Sequence, residues 1–141
     1  MNEPFSTVQR VRFGDLDAMQ HMNNVEFLRF FETARIDYIR TILPDHQPGR
    51  RSAFGFIFAE CHIAYKSPAF FDEQIRTYIR PGELKRSSFR LDFEMRSESD
   101  GRLVAEGWGA LVGYDYGEAQ PRPIPDELRA AIEAEMPKAV G

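Results

Sequence analysis

The longest periodic pattern in the chain predicts a helix that follows a polar loop near the N-terminus. Asparagine is a favoured N-cap residue, and Asn23 stands before an apolar run with Glu26 three positions later, a variant of the capping box. Pro44 disfavours helical geometry at the residue before it. The pattern therefore predicts a helix over 23–42, and the residues expected on its buried face are Phe27, Phe30, Phe31, Ala34 and Tyr38.

Alternation of apolar and polar residues predicts five strands, which span 8–13, 54–65, 75–80, 89–96 and 103–114. The second of these runs is apolar on both sides, so we expect other structure to cover both of its faces. Pro81-Gly82 and Asp100-Gly101 are expected to form turns. A short helix is expected over 126–136, after Pro125.

This order of elements predicts an α+β fold and a single domain over 1–141. Short connections favour antiparallel pairing, and the wide apolar face of one helix is buried if the sheet curls around it. We therefore expect a five-stranded antiparallel sheet wrapped around one long central helix, with a short C-terminal helix. The outer sheet face and the strand edges would still need cover, which favours a homodimer or a higher oligomer.

Composition narrows the classes of function. The chain has 141 residues and is 43% hydrophobic, which suits one domain with a single core. Its formal net charge of -4 argues against broad binding of nucleic acid. Cys61 is the single cysteine, so an intrachain disulfide framework is excluded. Neither a secretory signal nor a long apolar run is evident, and we expect a soluble, cytoplasmic protein with no membrane partner.

Three segments together carry a family resemblance. They read Phe13-Gly-Asp-Leu-Asp, His21-Met-Asn-Asn and Phe30-Phe-Glu-Thr-Ala-Arg35. This combination resembles the signature of hotdog-fold acyl-CoA thioesterases of the 4-hydroxybenzoyl-CoA thioesterase type, and the downstream segments Tyr65-Lys-Ser-Pro-Ala and Arg86-Ser-Ser-Phe89 extend the likeness. The resemblance implies dimers that share a continuous sheet, often assembled into tetramers, with active sites at the dimer interface.

The resemblance also implies roles for individual residues. Asp17 falls on the family's catalytic carboxylate, which acts as a nucleophile or as a general base toward water. Asn24 falls where the family uses a backbone N–H to hold the thioester carbonyl oxygen. Gln20 departs from the pattern, since the family often has glycine there, and Met22 replaces a common valine.

Elementary chemistry agrees with this placement. Thioester hydrolysis develops negative charge on the carbonyl oxygen, and free amides at a helix N-terminus are preorganised to receive it. One such donor is worth about 3 kcal/mol of barrier. A carboxylate such as Asp17 can attack the carbonyl carbon or take a proton from water. The thiolate of coenzyme A then leaves without a strong acid.

The remaining polar residues keep more than one interpretation. His21 could orient Asp17, tune its ionisation, or hydrogen-bond the backbone, whereas Asp15 is expected to shape the loop. Lys85 and Arg86 are candidates for the phosphates of coenzyme A or form an ordinary solvated turn, and the paired arginines at 50–51 are weaker candidates of the same kind.

Other chemistries find less support in the sequence. Cys61 and His62 are adjacent in a predicted strand and so point to opposite faces. Three histidines and one cysteine without chelating spacing predict no metal site. No cofactor is expected, because coenzyme A would be part of the substrate.

Three functions stay open at this point. The first is an acyl-CoA thioesterase that uses Asp17 and the helix start at Asn24. The second is a non-hydrolytic module that binds acyl-CoA. The third is a hotdog dehydratase or hydratase, which His21 near Asp17 keeps open because that chemistry pairs a histidine with a carboxylate.

Overall fold

The computed structural model describes residues 4–44 and 55–136. In chain order the elements are β1 (Phe5–Arg10), a 3-10 turn (Phe13–Asp15), α1 (Asn24–Ile42), β2 (Phe56–Tyr65), β3 (Gln74–Leu84), β4 (Ser88–Ser97), β5 (Leu103–Asp115), β6 (Gln120–Pro121) and α2 (Asp126–Glu135). The strands pair antiparallel in the order β1-β3-β4-β5-β2, and β6 pairs with β5. The α+β class is confirmed, and the two-residue strand β6 is an addition to the five predicted strands.

One face of the sheet packs on α1 and forms the core. All five aromatic and small residues predicted for the inner face of the helix are buried. They meet the alternating buried side of β4, where Phe93 lies with its ring centroid 4.5 Å from that of Phe31. Gly109 of β5 permits this close approach, because a Cβ there would lie 2.6 Å from ring carbons of Phe31 and Phe58. The helix predicted from periodicity is thus the central helix of the fold.

The first strand differs from the prediction. It begins at Phe5 and ends at Arg10, whereas alternation predicted a strand over 8–13. Phe13 is 79% exposed and belongs to the 3-10 turn. The backbone turns there because the buried carboxylate of Asp15 accepts a hydrogen bond from the Arg12 amide at 2.8 Å, which a continuing strand would not allow. A local polar contact therefore overrides the apolar alternation.

Strand β2 also differs from its prediction. It runs along one edge of the sheet, and its central residues 57–62 are exposed in the single chain. The expectation that both faces are covered is therefore wrong for one subunit, because the described elements leave side chains on both faces exposed, such as those of Ile57 and Phe58. This strand also has a free edge, since β5 pairs with only one of its edges and no strand lies beyond the other among the described residues. The beginning of the predicted strand, at residue 54, lies outside the described residues.

The Pro81-Gly82 turn is a third correction. Both residues lie inside β3, where the register with β4 shifts between Pro81 and Leu84. Proline lacks an amide for the ladder, so it is accommodated at this irregularity and does not end the strand. The β3–β4 turn falls at 85–87, where the Lys85 amide donates to the Ser88 carbonyl at 2.8 Å. The Asp100-Gly101 hairpin is confirmed, with Gly101 at a φ of 73°.

The C-terminal helix is confirmed as α2, and its Leu128 and Ile132 are buried. The arginine pair at 50–51 lies outside the described residues. Neither helix of the described chain has the length and apolar character needed to cross a membrane.

Candidate active site

The loop before α1 is held to the start of the helix by Asp15. The carboxylate of Asp15 is 3% exposed and accepts the Arg12 amide at 2.8 Å, while the Arg12 guanidinium lies 3.3 Å away. The main-chain carbonyl of Asp15 accepts the amide of Asn23 at 2.9 Å. The role predicted for Asp15, shaping the loop through backbone N–H groups, is confirmed.

A tight turn places Asp17 and His21 side by side. The Asp17 amide donates to the His21 carbonyl at 3.0 Å, and Gln20 between them has a φ of 65°. One oxygen of the Asp17 carboxylate accepts the Met19 amide at 2.8 Å, and the other lies 3.5 Å from His21 Nδ1. A positive φ favours glycine, so Gln20 occupies a backbone conformation in which glycine would be less strained.

The turn is docked on the segment that joins β2 to β3. The Met22 amide donates to the Ala69 carbonyl at 2.7 Å, and His21 forms an isolated bridge with Phe70. Met22 and Ala69 are both buried. The position of Asp17 therefore depends on a segment about 50 residues further along the chain.

A half-buried carboxylate holds that segment in place. Glu73 accepts hydrogen bonds from the Phe70 amide at 2.8 Å and from the Ser97 hydroxyl at 2.5 Å. Arg102 Nη2 donates to both carboxylate oxygens of Glu73 at 3.0 Å. The same guanidinium donates to the Pro68 carbonyl at 2.9 Å. We call this set, Pro68, Phe70, Glu73, Ser97 and Arg102, the Glu73 network. It joins the β2–β3 connection to the β4–β5 hairpin.

One backbone amide at the N-terminus of α1 has no hydrogen-bond acceptor among the described residues. The side chain of Asn23 accepts the Val25 amide at 3.0 Å, and its carbonyl accepts the Glu26 amide at 2.9 Å. The Asn23 amide goes to the loop, so the reciprocal bond from Glu26 in the predicted capping box does not form. Within residues 4–44 and 55–136, the Asn24 amide meets no acceptor. This amide is the one available to a ligand.

An apolar groove of about 180 Å³ runs along α1 beside the edge strand β2, and its lining includes Val25, Leu28, Phe31, Arg35 and Phe58. The Arg35 guanidinium lies over the Phe58 ring, 4.7 Å from the centroid, and Glu32 is 3.9 Å away. Burial lowers the pKa of Arg35, and the charge of Glu32 opposes that effect. The groove begins beside the helix start, and β2, which contributes Phe58 to its lining, has no neighbouring strand on its outer edge among the described residues.

The two basic residues predicted for coenzyme A lie elsewhere. Lys85 and Arg86 form the β3–β4 turn, and Lys85 Nζ is 3.7 Å from a Glu83 oxygen. The loop with Asp17 follows Arg10, whose partner Gln74 is at the other end of β3. At about 3.3 Å per residue, the two ends of β3 are about 30 Å apart. Within one subunit, the structure does not bring Lys85 and Arg86 to Asp17.

The remaining reactive side chains are spread over the sheet. His62 stacks on Trp108, with ring centroids 6.3 Å apart, and the neighbouring Cys61 is a free, exposed thiol. No cluster of three or more histidine, cysteine, aspartate and glutamate residues suited to a metal ion occurs in the part of the chain that the structure describes.

Comparison with known proteins identifies the family. The model of the thioesterase-like superfamily matches residues 11–132, which include the loop, α1 and all strands from β2 to β6. The chain belongs to the thioesterase-like superfamily. The family and the thioesterase class of enzyme inferred from the motifs are confirmed.

Named thioesterases resemble the chain over most of its length. The long-chain acyl-CoA thioesterase FadM of Escherichia coli is 27% identical over 124 residues, 88% of this chain and 93% of that protein. The acyl-CoA thioesterase YbgC of Haemophilus influenzae is 26% identical over 94% of this chain and 96% of that protein. A crystal structure of a Thermus thermophilus thioesterase complexed with coenzyme A and zinc superposes with a TM-score of 0.79, at 30% identity and 96% coverage of both chains.

The sequence did not predict the contacts of several residues near the loop of this thioesterase-like chain. The Tyr65 hydroxyl donates to the Asn24 carbonyl at 3.2 Å, although 41 positions separate the two residues. Glu73 and Arg102 meet across 29 positions. No periodicity or local motif signals pairs so far apart, and the sequence marks Tyr65 only as part of a family segment.

Proposed function

We propose that the protein hydrolyses the thioester of an acyl-CoA to the free acid and coenzyme A. The observation that carries this proposal is the unoccupied amide of Asn24, at the start of the helix that follows the loop holding the Asp17 carboxylate. An N–H at a helix N-terminus is a preorganised donor for the oxygen that becomes negative in the transition state. The named relatives support acyl-CoA as the substrate class.

In the proposed reaction Asp17 supplies the negative charge next to the reacting carbon. It either takes a proton from a water molecule that attacks the carbonyl carbon, or attacks that carbon itself to form an anhydride that water then hydrolyses. In both routes the carbon–sulfur bond breaks, the thiolate of coenzyme A leaves, and water supplies the hydroxyl of the acid. The Met19 amide, bonded to one Asp17 oxygen, leaves the second oxygen free to act.

His21 is proposed to support that second oxygen. Its Nδ1 lies 3.5 Å from Oδ2 of Asp17, and the side chains of His21 and Asp17 are 37% and 28% exposed. A ring nitrogen at this distance can orient the carboxylate. We therefore assign His21 an auxiliary role and Asp17 the chemical one.

The acyl group is proposed to lie in the groove along α1. Val25, Leu28 and Phe58 are apolar and exposed in the single chain, next to the helix start. Burying such side chains against an acyl chain contributes about 25 cal/mol per Å². A second subunit bound along β2 would close the open side of the groove.

A homodimer is proposed to form through the edge of β2. Ile57, Phe58 and Cys61 are exposed there, and an unpaired edge with apolar residues invites pairing with another strand. Antiparallel pairing of two β2 strands would continue the sheet across the dimer. We propose that such dimers can associate further into tetramers.

This dimer would bring Lys85 and Arg86 of the partner subunit toward the substrate. The turn at 85–87 lies beside Gly113, which faces the start of β2 at Phe56. Antiparallel pairing sets the start of the partner's strand next to the end of β2 at Tyr65, where α1 begins. The cationic turn of one subunit would then serve the phosphates of coenzyme A bound to the other.

A panel assay separates this proposal from its two alternatives. Purified protein is mixed with short-chain, long-chain and aromatic acyl-CoAs, and free thiol is measured with time. We expect thiol release from at least one class. Binding of acyl-CoA without thiol release would support a non-hydrolytic module, and hydration of an enoyl-CoA without thiol release would support a hydratase.

A further inference from the structure

Two side chains of the sheet, one on each side of α1, donate hydrogen bonds to main-chain carbonyls of the helix. Gln9 of β1 donates from Nε2 to the Phe30 carbonyl at 2.9 Å. On the other flank, the hydroxyl of Tyr65 donates to the Asn24 carbonyl at 3.2 Å. Both acceptors are main-chain atoms of the helix, so these contacts restrain the backbone itself. The second contact falls on the residue whose amide is unoccupied.

Tyr65 is itself firmly placed. It is the last residue of β2 and pairs with Ala105 of β5, and the following Lys66 amide donates to the Val104 carbonyl at 2.9 Å. Its ring meets Phe27 edge-on, with centroids 5.1 Å apart and an interplanar angle of 83°. Phe27 is 2% exposed, so it anchors the ring from the core side. The Tyr65 hydroxyl therefore contacts the helix from a ring that is fixed by strand pairing and by Phe27.

We propose that Tyr65 is a positioning residue that holds the first turn of α1 so that the Asn24 amide faces the thioester oxygen. This inference rests on the proposed function and adds to it a residue outside the loop and the helix. A hydrogen bond to the Asn24 carbonyl limits rotation of the adjoining peptide groups, and those peptides carry the amide that would meet the substrate. Small displacements of a positioned donor have large effects on rate.

The hydroxyl acts in this arrangement as a donor. Partial desolvation raises the pKa of Tyr65, and the charge of Cys61 acts in the same direction. The group therefore keeps its proton at neutral pH. It has no part in proton transfer to or from the substrate, since its hydrogen is directed at the Asn24 carbonyl.

The test compares two tyrosines that make the same kind of bond. Tyr116 also donates its hydroxyl to a main-chain carbonyl, that of Phe56 at 2.9 Å, and it is likewise exposed. Tyr116 lies near the start of β2, whereas Tyr65 lies at its end. Tyr65→Phe and Tyr116→Phe each remove one hydroxyl and keep the ring. Tyr116→Phe is therefore a matched control for the loss of one exposed hydrogen bond.

We expect Tyr65→Phe to lower kcat about fivefold to tenfold, the rate equivalent of one lost hydrogen bond, and to leave KM within about twofold. Tyr116→Phe is expected to keep the wild-type kcat. The two variants should unfold at similar temperatures. Hydrogen exchange in peptides covering residues 24–28 should be faster in Tyr65→Phe than in either the wild type or the control.

Unchanged kcat in Tyr65→Phe would overturn the inference, and so would a loss of activity matched by Tyr116→Phe. If the wild type releases no thiol from any acyl-CoA, the proposed function fails, and hydrogen exchange then decides about Tyr65 on its own. Unaltered exchange at 24–28 in Tyr65→Phe would show that its hydroxyl does not hold the helix start.

Discussion

At the scale of single residues, the hydrogen bonds of Asn23 leave one backbone amide of the first helical turn, that of Asn24, without an acceptor among the described residues. Its side chain and carbonyl take the amides of Val25 and Glu26, and its own amide is taken by Asp15. The sequence predicted Asn23 as the cap from residue type alone. It did not predict that Asp15 would replace Glu26 as the partner, because that bond depends on the path of the loop.

A second residue, Tyr38, carries a prediction about stability. Its side chain is 1% exposed, and its hydroxyl finds no hydrogen-bond partner among the residues that the structure describes. An unpaired buried hydroxyl costs stability, so Tyr38→Phe is expected to leave the free energy of unfolding at pH 7 unchanged or to raise it by about 1 kcal/mol. Urea unfolding measures this difference, and a loss above about 1 kcal/mol would contradict it.

The same substitution should change the response to alkali. Burial, followed by the charge of Glu135, raises the pKa of Tyr38 in the folded state. The folded protein thus favours the protonated form, and the stability linked to this group is complete below the unfolded pKa of about 10 and is lost as pH rises above it. Between about pH 9 and about pH 11, the free energy of unfolding should therefore fall less in Tyr38→Phe than in Tyr116→Phe.

At the scale of elements, regular patterns predicted the structure wherever one face of an element meets the core. The helix α1 and the strand β4 agree with their predicted bounds to within about one residue, a common uncertainty of element ends. The errors in the path of the backbone fall where local polar contacts or proline decide that path, at Asp15 and at Pro81. Those contacts leave no periodic signal.

The Glu73 network gives a prediction at this scale. Arg102→Ala would leave Glu73, whose side chain is 14% exposed, without its cation. We expect a loss of about 2 kcal/mol in the free energy of unfolding, together with slower thiol release, because the network supports the segment on which the Asp17 turn is docked.

A matched arginine serves as its control. Arg96 lies on the same hairpin, contacts Glu94 at 3.1 Å and donates to the Gly101 carbonyl at 2.9 Å, away from the segment that supports Asp17. Arg96→Ala should lower the free energy of unfolding less than Arg102→Ala does and should leave the rate unchanged. Equal effects of the two substitutions on stability and rate would argue against a special role for the network.

At the scale of the whole molecule, the single chain leaves the predicted parts of the site separated. Asp17 and Asn24 are at one end of the sheet, and Lys85 and Arg86 are at the other. The sequence predicts the candidate residues but not the distance between them, because that distance depends on the direction of β3. The proposed dimer through β2 would bring the two groups together, because its second subunit is reversed.

The dimer can be tested at the edge strands. Ile57→Lys and Cys61→Lys put charge on the exposed edge of β2, and Val8→Lys puts a similar charge on the outer face of the opposite edge strand, β1. Charged edges oppose strand pairing. Light scattering coupled to size exclusion should report a dimer or larger assembly for the wild type and Val8→Lys, and a smaller assembly for the β2 variant. A β2 variant of unchanged mass would refute pairing through this edge.

The most direct test of the proposed chemistry is the rate of thiol release by Asp17→Asn, with Asp72→Asn as its control. Asparagine can still accept the Met19 amide, so the turn should persist while the charge is lost. Asp72 is exposed on a nearby loop at a φ of 69°, which asparagine tolerates. The account predicts a fall in kcat of about a hundredfold or more for Asp17→Asn and none for Asp72→Asn. Full activity of a folded Asp17→Asn protein would contradict it.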